Sequence, residues 1–316
     1  MDQQLLSSRA ITGMYFARLE ADRGLGYLDQ LANLFNSDQA SETYNWIGQT
    51  PRMREWIGGR QAKGFSGQGV TIINTSYEAT LEVQVKDARR DKTGQIRARM
   101  EEFADEGDNH WTSLLTTLLL NGPAAACYDG QFFFDTDHSE GESGTQDNDV
   151  TVDISALPAA VHGVVTAPSV EEMQQAILKG VSAIVGFKDD RGRAMNPGAR
   201  EFMVAVPTVL WGVATAALST IATAALAQNL NANLIAGMKV IVVMLPELTW
   251  TDSFAVFRTD SPIKALIRQR ETDVELKVKA ENSEFEFDNK AWQFGIDAWR
   301  GVGYGHWQRA CYVTMT

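Results

Sequence analysis

The residues best equipped for chemistry lie in one stretch, Cys127-Tyr-Asp-Gly-Gln-Phe-Phe-Phe-Asp-Thr-Asp-His138. Asp135, Asp137 and His138 bring oxygen and nitrogen donors within a few residues, with Asp129 close by, a donor set suited to a divalent cation. A metal-dependent hydrolase centred on these three is therefore one candidate function. Such a site needs further ligands and an open coordination position. The remaining histidines, His110, His162 and His306, have no matching spacing. A turn accounts for more of the same residues. Asp129-Gly130 bends the chain, Phe132 to Phe134 anchor it, and the polar residues open a loop. Cys127 follows three alanines, surroundings that favour an inert thiol. On this reading no catalytic, cofactor-binding or metal-binding residue is assigned and no cofactor is expected.

A second cluster interleaves Trp46 and Trp56 with Arg52, Arg54 and Arg60. Aromatic and cationic residues in this pattern suit stacking on single-stranded nucleic acid, and equally suit a contact between subunits, where Trp and Arg are enriched. The 316 residues contain 40 acidic and 28 basic side chains, a formal charge of -12. General phosphate neutralisation needs a basic face, so the subunit contact is the preferred reading. There is no phosphate-cradling loop, no dinucleotide fingerprint and no nucleophile elbow.

These clusters must be held by a large folded unit. Hydrophobic residues are 44% of the chain, with eight Trp and 14 Phe, an ordinary globular composition. Cys127 and Cys311 form neither a disulfide framework nor a zinc spacing. No secretory leader opens the sequence. Val204 to Gln228 is long enough to span a membrane, but it is Ala-rich and interrupted by Thr and Ser, so a packed helix following Pro207 is expected.

Along the chain, residues 1–43 read as a helix-prone arm, with Phe16, Leu19, Leu28, Leu31, Leu34 and Phe35 near helical spacing. Val70 to Val85 alternates as a strand, and the glycines before it suggest an extended hairpin. From Asp87 to about Leu120, apolar residues step by three or four along one long amphipathic helix that stops at Asn121-Gly122-Pro123. Residues 135–153 read as an exposed polar loop. Helix 169–185, strand 202–206, the Ala-rich helix and strand 239–245 form an α/β unit. Alternation at 274–278, 284–287 and 292–298 predicts antiparallel strands.

Three blocks also resemble a known family. Tyr44-Asn-Trp-Ile-Gly-Gln-Thr-Pro-Arg-Met-Arg-Glu-Trp-Ile-Gly-Gly-Arg60, the Cys127–His138 stretch and Gly303-Tyr-Gly-x-Trp-Gln308 are similar to the major head subunit (gpT) of Mu-like phages. The resemblance implies an α+β chain with the Hong Kong 97-type capsid fold. It implies an N-terminal arm (1–49), an extended hairpin or E-loop (50–86), and a peripheral domain with its spine helix and following loop (87–154). An axial domain (155–250) and closing strands returning to the peripheral domain (251–316) complete the expectation. The implied function is the major capsid protein of a tailed bacteriophage, located in the virion capsid and assembled in the host bacterial cytoplasm. Its first partner would be itself, in hexamers and pentamers of an icosahedral shell, with scaffold, portal and decoration proteins as further partners and no membrane. Trp46, Arg52, Arg54, Trp56, Arg60, Tyr77 and Leu81 become the expected subunit-interface residues, and Lys63 the only candidate for covalent crosslinking. The short arm leads us to expect no long scaffold domain within the chain. The shell would enclose double-stranded DNA without sequence-specific binding, and an acidic wall confines DNA without adhering to it.

Overall fold

In the computed structural model of the chain, the described residues are 7–20, 24–44, 69–91, 94–227, 234–235 and 237–316. In order the elements are α1 (Ser8–Leu19), α2 (Tyr27–Leu31), β1 (Ala32–Asn36), β2 (Ser41–Tyr44), β3 (Val70–Ile73), β4 (Thr75–Gln84), α3 (Val85–Arg90) and α4 (Gln95–Asn121). There follow β5 (Asp149–Val152), α5 (Val170–Gly186), β6 (Glu201–Val206), α6 (Thr208–Ala227), β7 (Leu234–Ile235), β8 (Met238–Met244) and β9 (Ser253–Arg258). The chain closes with β10 (Leu266–Arg270), β11 (Glu275–Lys279), α7 (Glu284–Asn289), β12 (Ala291–Tyr304) and β13 (Ala310–Met315).

Two large sheets and a two-stranded ribbon, β2–β3, organise these elements. The first has the order β1-β10-β12-β11, with β4 also paired to β12, antiparallel from Ala291↔Gln84 to Arg300↔Thr75. Alternation along β12 turns Trp292, Phe294, Ile296 and Ala298 inward, as their spacing predicts. Trp292, Phe294 and Ile296 pack with Ile96, Met100 and Ala104 of α4, while Ile11 and Tyr15 of α1 complete the same core. The second sheet, β5-β13-β9-β6-β8-β7, carries α5 and α6. Its core includes Ile177, Phe202, Phe254 and Val313, and the far half of α4 enters it through Leu115 and Leu119. At ~1.5 Å per residue, the 27 residues of α4 extend about 40 Å and join both cores.

Several expectations change. The long helix is two, because Gly94 takes a left-handed φ of 76° and the Asp91 carboxylate accepts the N–H groups of Gly94, Gln95 and Ile96. The arm is not helical to residue 43. Ala32–Asn36 adds to β10 as a parallel strand, so Leu34 and Phe35 follow strand rather than helix periodicity. Val70 to Val85 is not one hairpin, since β3 pairs back to β2 and β4 leaves for β12. The divide is Asn74, whose N–H bonds the Ala40 carbonyl and whose side chain donates to Gln39 O and Ser37 Oγ. The loop at 135–153 is far from wholly exposed, with His138, Ser143, Gln146 and Asn148 buried and Asp149–Val152 in the second sheet. Segment 284–287 is helical, because Ser283 caps the Glu286 N–H. Residues 251–316 divide between the sheets, β10, β11 and β12 in one, β9 and β13 in the other. Among the described residues no helix is long and apolar enough to cross a membrane.

Candidate functional site

The base of the β2–β3 ribbon is the first place where the sequence blocks acquire a structural reason. The ribbon is antiparallel, from Ser41↔Ile73 to Tyr44↔Val70, so residues 45–69 connect its two strands at one end. Tyr44, the first residue of the first block, donates its hydroxyl to Gln269 Oε1 at 2.8 Å. Gln269 is fully buried, and its amide donates to Asn74 Oδ1 at 2.8 Å and to the Ile72 carbonyl at 3.3 Å. One side chain thus ties both ribbon strands to β10. Burial, with Glu42 adding to it, pushes the Tyr44 phenol up to about 12, so it remains a donor.

The glycines of β12 let the ribbon lie flat on the sheet. A Cβ on Gly301 would stand 2.6 Å from the Ile73 carbonyl oxygen, and one on Gly303 would stand 2.6 Å from Ile72 Cδ1. Gly303 belongs to the third block, so the close approach of Ile72, rather than any chemistry, explains the residue type.

The second and third blocks interlock in the interior. His138 stacks on Trp307 with ring centroids 4.0 Å apart and planes at 9°. Phe133 stacks on Tyr304 at 4.6 Å. The Gln308 amide donates to the Tyr128 hydroxyl at 2.8 Å and to Glu140 Oε1 at 3.2 Å, and Tyr128 also bonds Glu140. His138 Nδ1 meets Asp129 Oδ2 at 2.7 Å, while the Cys127 thiol donates to Asp129 Oδ1 at 2.9 Å. Burial raises the Asp129 pKa, but the bonds from His138 and Cys127 outweigh it and the carboxyl is held below its ordinary value. Burial, reinforced by Asp129, pushes the Cys127 thiol well up, which keeps it protonated and unreactive.

Among the described residues the only three His, Cys, Asp or Glu side chains whose ligand atoms cluster closely are Cys127, Asp129 and His138. The alternative trio Asp135, Asp137 and His138 does not converge. Asp135 accepts the N–H groups of Phe132 and Thr136, which closes a turn, and Asp137 accepts from Gln131 Nε2 at 2.5 Å. Their carboxylates are spent on loop geometry, so the candidate metal centre is replaced by a hydrogen-bonded turn. His110 is likewise packed, 4.4 Å from the Tyr77 ring, and burial lowers its pKa, with Arg300 adding to the effect.

Of the expected interface residues, Trp46, Arg52, Arg54, Trp56 and Arg60 lie outside the described residues, as does Lys63. Tyr77 and Leu81 sit on β4. Tyr77 lines a cavity of about 120 Å³ with Gly107, His110 and Arg300, and Leu81 packs against the α1–α4 core. Both are half-buried within their own subunit. Gln269 and Trp307 are the residues that sequence reasoning left without a role. A glutamine inside the apolar run Ala265–Ile267 and its basic continuation was the only sign of the first.

The Mu-like prophage major head subunit gpT family matches residues 17–157 and 245–316, more than half of the chain. The chain belongs to this family. All three blocks fall within the matched residues, and so do the ribbon, α4 and the interlocked turn. The gpT-family chain is 36% identical over 124 residues to the FluMu major head subunit of a Mu-like prophage of Haemophilus influenzae, a stretch covering 39% of this chain and 40% of that protein. It is 32% identical over 110 residues to the major capsid protein of Escherichia phage Mu, covering 35% and 36% respectively. The chain thus spans about two fifths of the length of the curated relatives it matches. Among solved structures, the procapsid of bacteriophage JBD30 is similar over 97% of this chain and 73% of that one, with a TM-score of 0.56 and 22% identity. The capsid of cyanophage P-SCSP1u is similar over 91% and 87%, with a TM-score of 0.54 and 9% identity. A virus-like particle from Pyrococcus furiosus is similar over 96% and 98%, with a TM-score of 0.51 and 10% identity. The gpT-family subunit therefore has a mixed α+β fold that matches Hong Kong 97-type capsid proteins.

Proposed function

We propose that this chain is the major capsid subunit of a tailed bacteriophage, a structural, non-enzymatic protein that assembles into an icosahedral shell around double-stranded DNA. Hexamers and pentamers of the chain would form the shell, with scaffold, portal and decoration proteins as further partners. The observation that carries the reading is the family match, which takes in the ribbon base, the long helix and the interlocked turn together. The fold likeness to phage capsids supports it independently.

On this reading α4 is the spine helix, and the five-stranded sheet with α1 and α4 is the peripheral domain. The six-stranded sheet with α5 and α6 is the axial domain. Of the expected E-loop, 50–86, Thr75–Gln84 is β4 in the subunit's own sheet, so the part that would reach a neighbouring subunit is the connection between β2 and β3, with Trp46, Arg52, Arg54, Trp56 and Arg60 as its contact residues. The arm, residues 1–49, contributes to the same network. Burial repeated over many identical contacts then drives assembly. Electron microscopy of the purified chain under assembly conditions tests the proposal. Closed shells are expected, and a protein that stays monomeric across salt and concentration would overturn it.

A further inference from the structure

One end of the five-stranded sheet carries two opposed features side by side. Helix α7 projects the Phe287 ring, 86% exposed, between the exposed carboxylates of Glu284 and Asp288. Beside it, α3 and the end of α7 line a cavity of about 540 Å³ whose walls include Lys86, Arg89 and Lys290. The two helices abut because the Val85 N–H donates to the Lys290 carbonyl at 3.0 Å and Gln84 pairs with Ala291.

The charges on this end are unspent. Among the described residues, none of Lys86, Arg89, Lys290, Glu284 or Asp288 makes an ion pair within its own chain. Glu286, the one carboxylate in the cavity wall, is already engaged. Its Oε1 accepts from Trp292 Nε1 at 3.1 Å and its Oε2 from the Asn282 N–H at 2.8 Å. The knob is also held in place. Ser283 Oγ accepts the Glu286 N–H at 3.1 Å, and Lys290 closes the helix in a left-handed conformation, φ 51°, with its N–H on the Glu286 carbonyl. An aromatic ring presented on a fixed helix between two carboxylates suits insertion into a cationic socket, where ring burial and charge pairing act together.

We propose that this surface is a two-fold contact between two copies of this chain, with Phe287, Glu284 and Asp288 of each subunit seated in the Lys86–Arg89–Lys290 cavity of the other. A two-fold interface must be self-complementary, because the same patch serves both partners. An acidic knob adjacent to a basic socket on one surface meets that condition, and a closed pair buries both rings and satisfies both sets of charges.

The test reverses one side of the charge pairing and then both. Shell formation is compared for the native chain, K86E/R89E, E284K/D288K and the four-fold combination, by electron microscopy and sedimentation. Each two-fold reversal is expected to raise the subunit concentration needed for assembly about tenfold or more, and the combination to bring it back towards the native value. Recovery in the combination, with unchanged melting of the unassembled subunits, separates lost contact from lost folding. Phe287→Ala is expected to weaken assembly in every background. Native-like assembly of both reversals, or a combination no better than either, would overturn the contact. The inference rests on the head-subunit reading only for its shell readout. A native chain that forms salt-sensitive dimers but no shells would sink that reading and keep the two-fold contact.

Discussion

The interlocked turn and the ribbon base both draw on the family blocks, yet they are built in opposite ways. Around Trp307 several enclosed polar groups serve one another, His138 to Asp129 and Gln308 to Tyr128 and Glu140, while Trp307, fully buried, packs by its rings and leaves its Nε1 without a hydrogen-bond partner. At the ribbon base a single buried glutamine, with glycines beneath, holds two short strands against the face of the sheet. The first construction stabilises the subunit. The second fastens a two-stranded ribbon to the sheet through few contacts. Recognisable sequence blocks therefore have two physical origins here, interior packing and close approach of backbones, and Gly303-Tyr-Gly-x-Trp-Gln308 contributes to both.

The largest effect should come from the interior. Trp307→Ala removes a fully buried ring packed between His138 and Phe187, a loss of about 3–5 kcal/mol in subunit stability by urea unfolding. A value below about 1 kcal/mol would mean that the turn is no more structural than the ribbon. Gln269→Ala tests the other side. It removes the Gln269 acceptor of the Tyr44 hydroxyl and strands the Asn74 oxygen in a buried position, about 1–3 kcal/mol, concentrated at the ribbon. Hydrogen exchange should accelerate in Ser41–Tyr44 and Val70–Ile73 while the six-stranded sheet keeps its protection. Global destabilisation equal to that of Trp307→Ala would erase the distinction.

A pH titration sharpens it further. His306 is buried beside the Tyr128 ring of the interlocked turn, and desolvation, with Arg309 adding to it, lowers its pKa to about 4. The unfolded chain takes up that proton near pH 6.5. The folded state lacks it until pH falls to about 4, so stability is complete above the unfolded pKa and declines as pH drops through this window. The decline should be on the order of 1–3 kcal/mol and should flatten in His306→Asn, read from unfolding free energies at pH 7 and pH 5. An unchanged slope in the variant would place the titrating group elsewhere.

The sequence displayed the periodic elements well and the polar ones poorly. The faces of α4 and α5, the alternation of β12 and the βαβ run through Phe202, α6 and β8 all came from apolar spacing, which burial imposes directly. The break at Gly94 was hidden because Lys86 to Gln95 carries only Ala88 as an apolar residue and so has no spacing to interrupt, while Asp91 and a left-handed glycine decide the boundary. Asp135, Asp137 and His138 looked like ligands because composition records donor types but not which backbone groups they face. The role of Gln269 could not be read because its partners, Tyr44 and Asn74, are 225 and 195 residues away.

The smallest effect belongs to α7, where the same limitation can be measured. Glu284-Phe-Glu-Phe alternates like a strand, yet Ser283 and Glu286 form a capping pair three residues apart that fixes a helix. Ser283→Ala should cost about 1 kcal/mol, confined to α7, and visible as faster amide exchange in Glu284–Asn289 with little change in the melting of the subunit. Because α7 is short and solvent-facing, alternation alone would let it revert to an extended edge beside β12. The capping bond is what decides between the two. If the variant kept native exchange rates, the Trp292–Glu286 bond and the left-handed closure at Lys290 would be sufficient to hold the helix. The knob would then be set by the body of the sheet, like the interior turn, rather than by its own local chemistry.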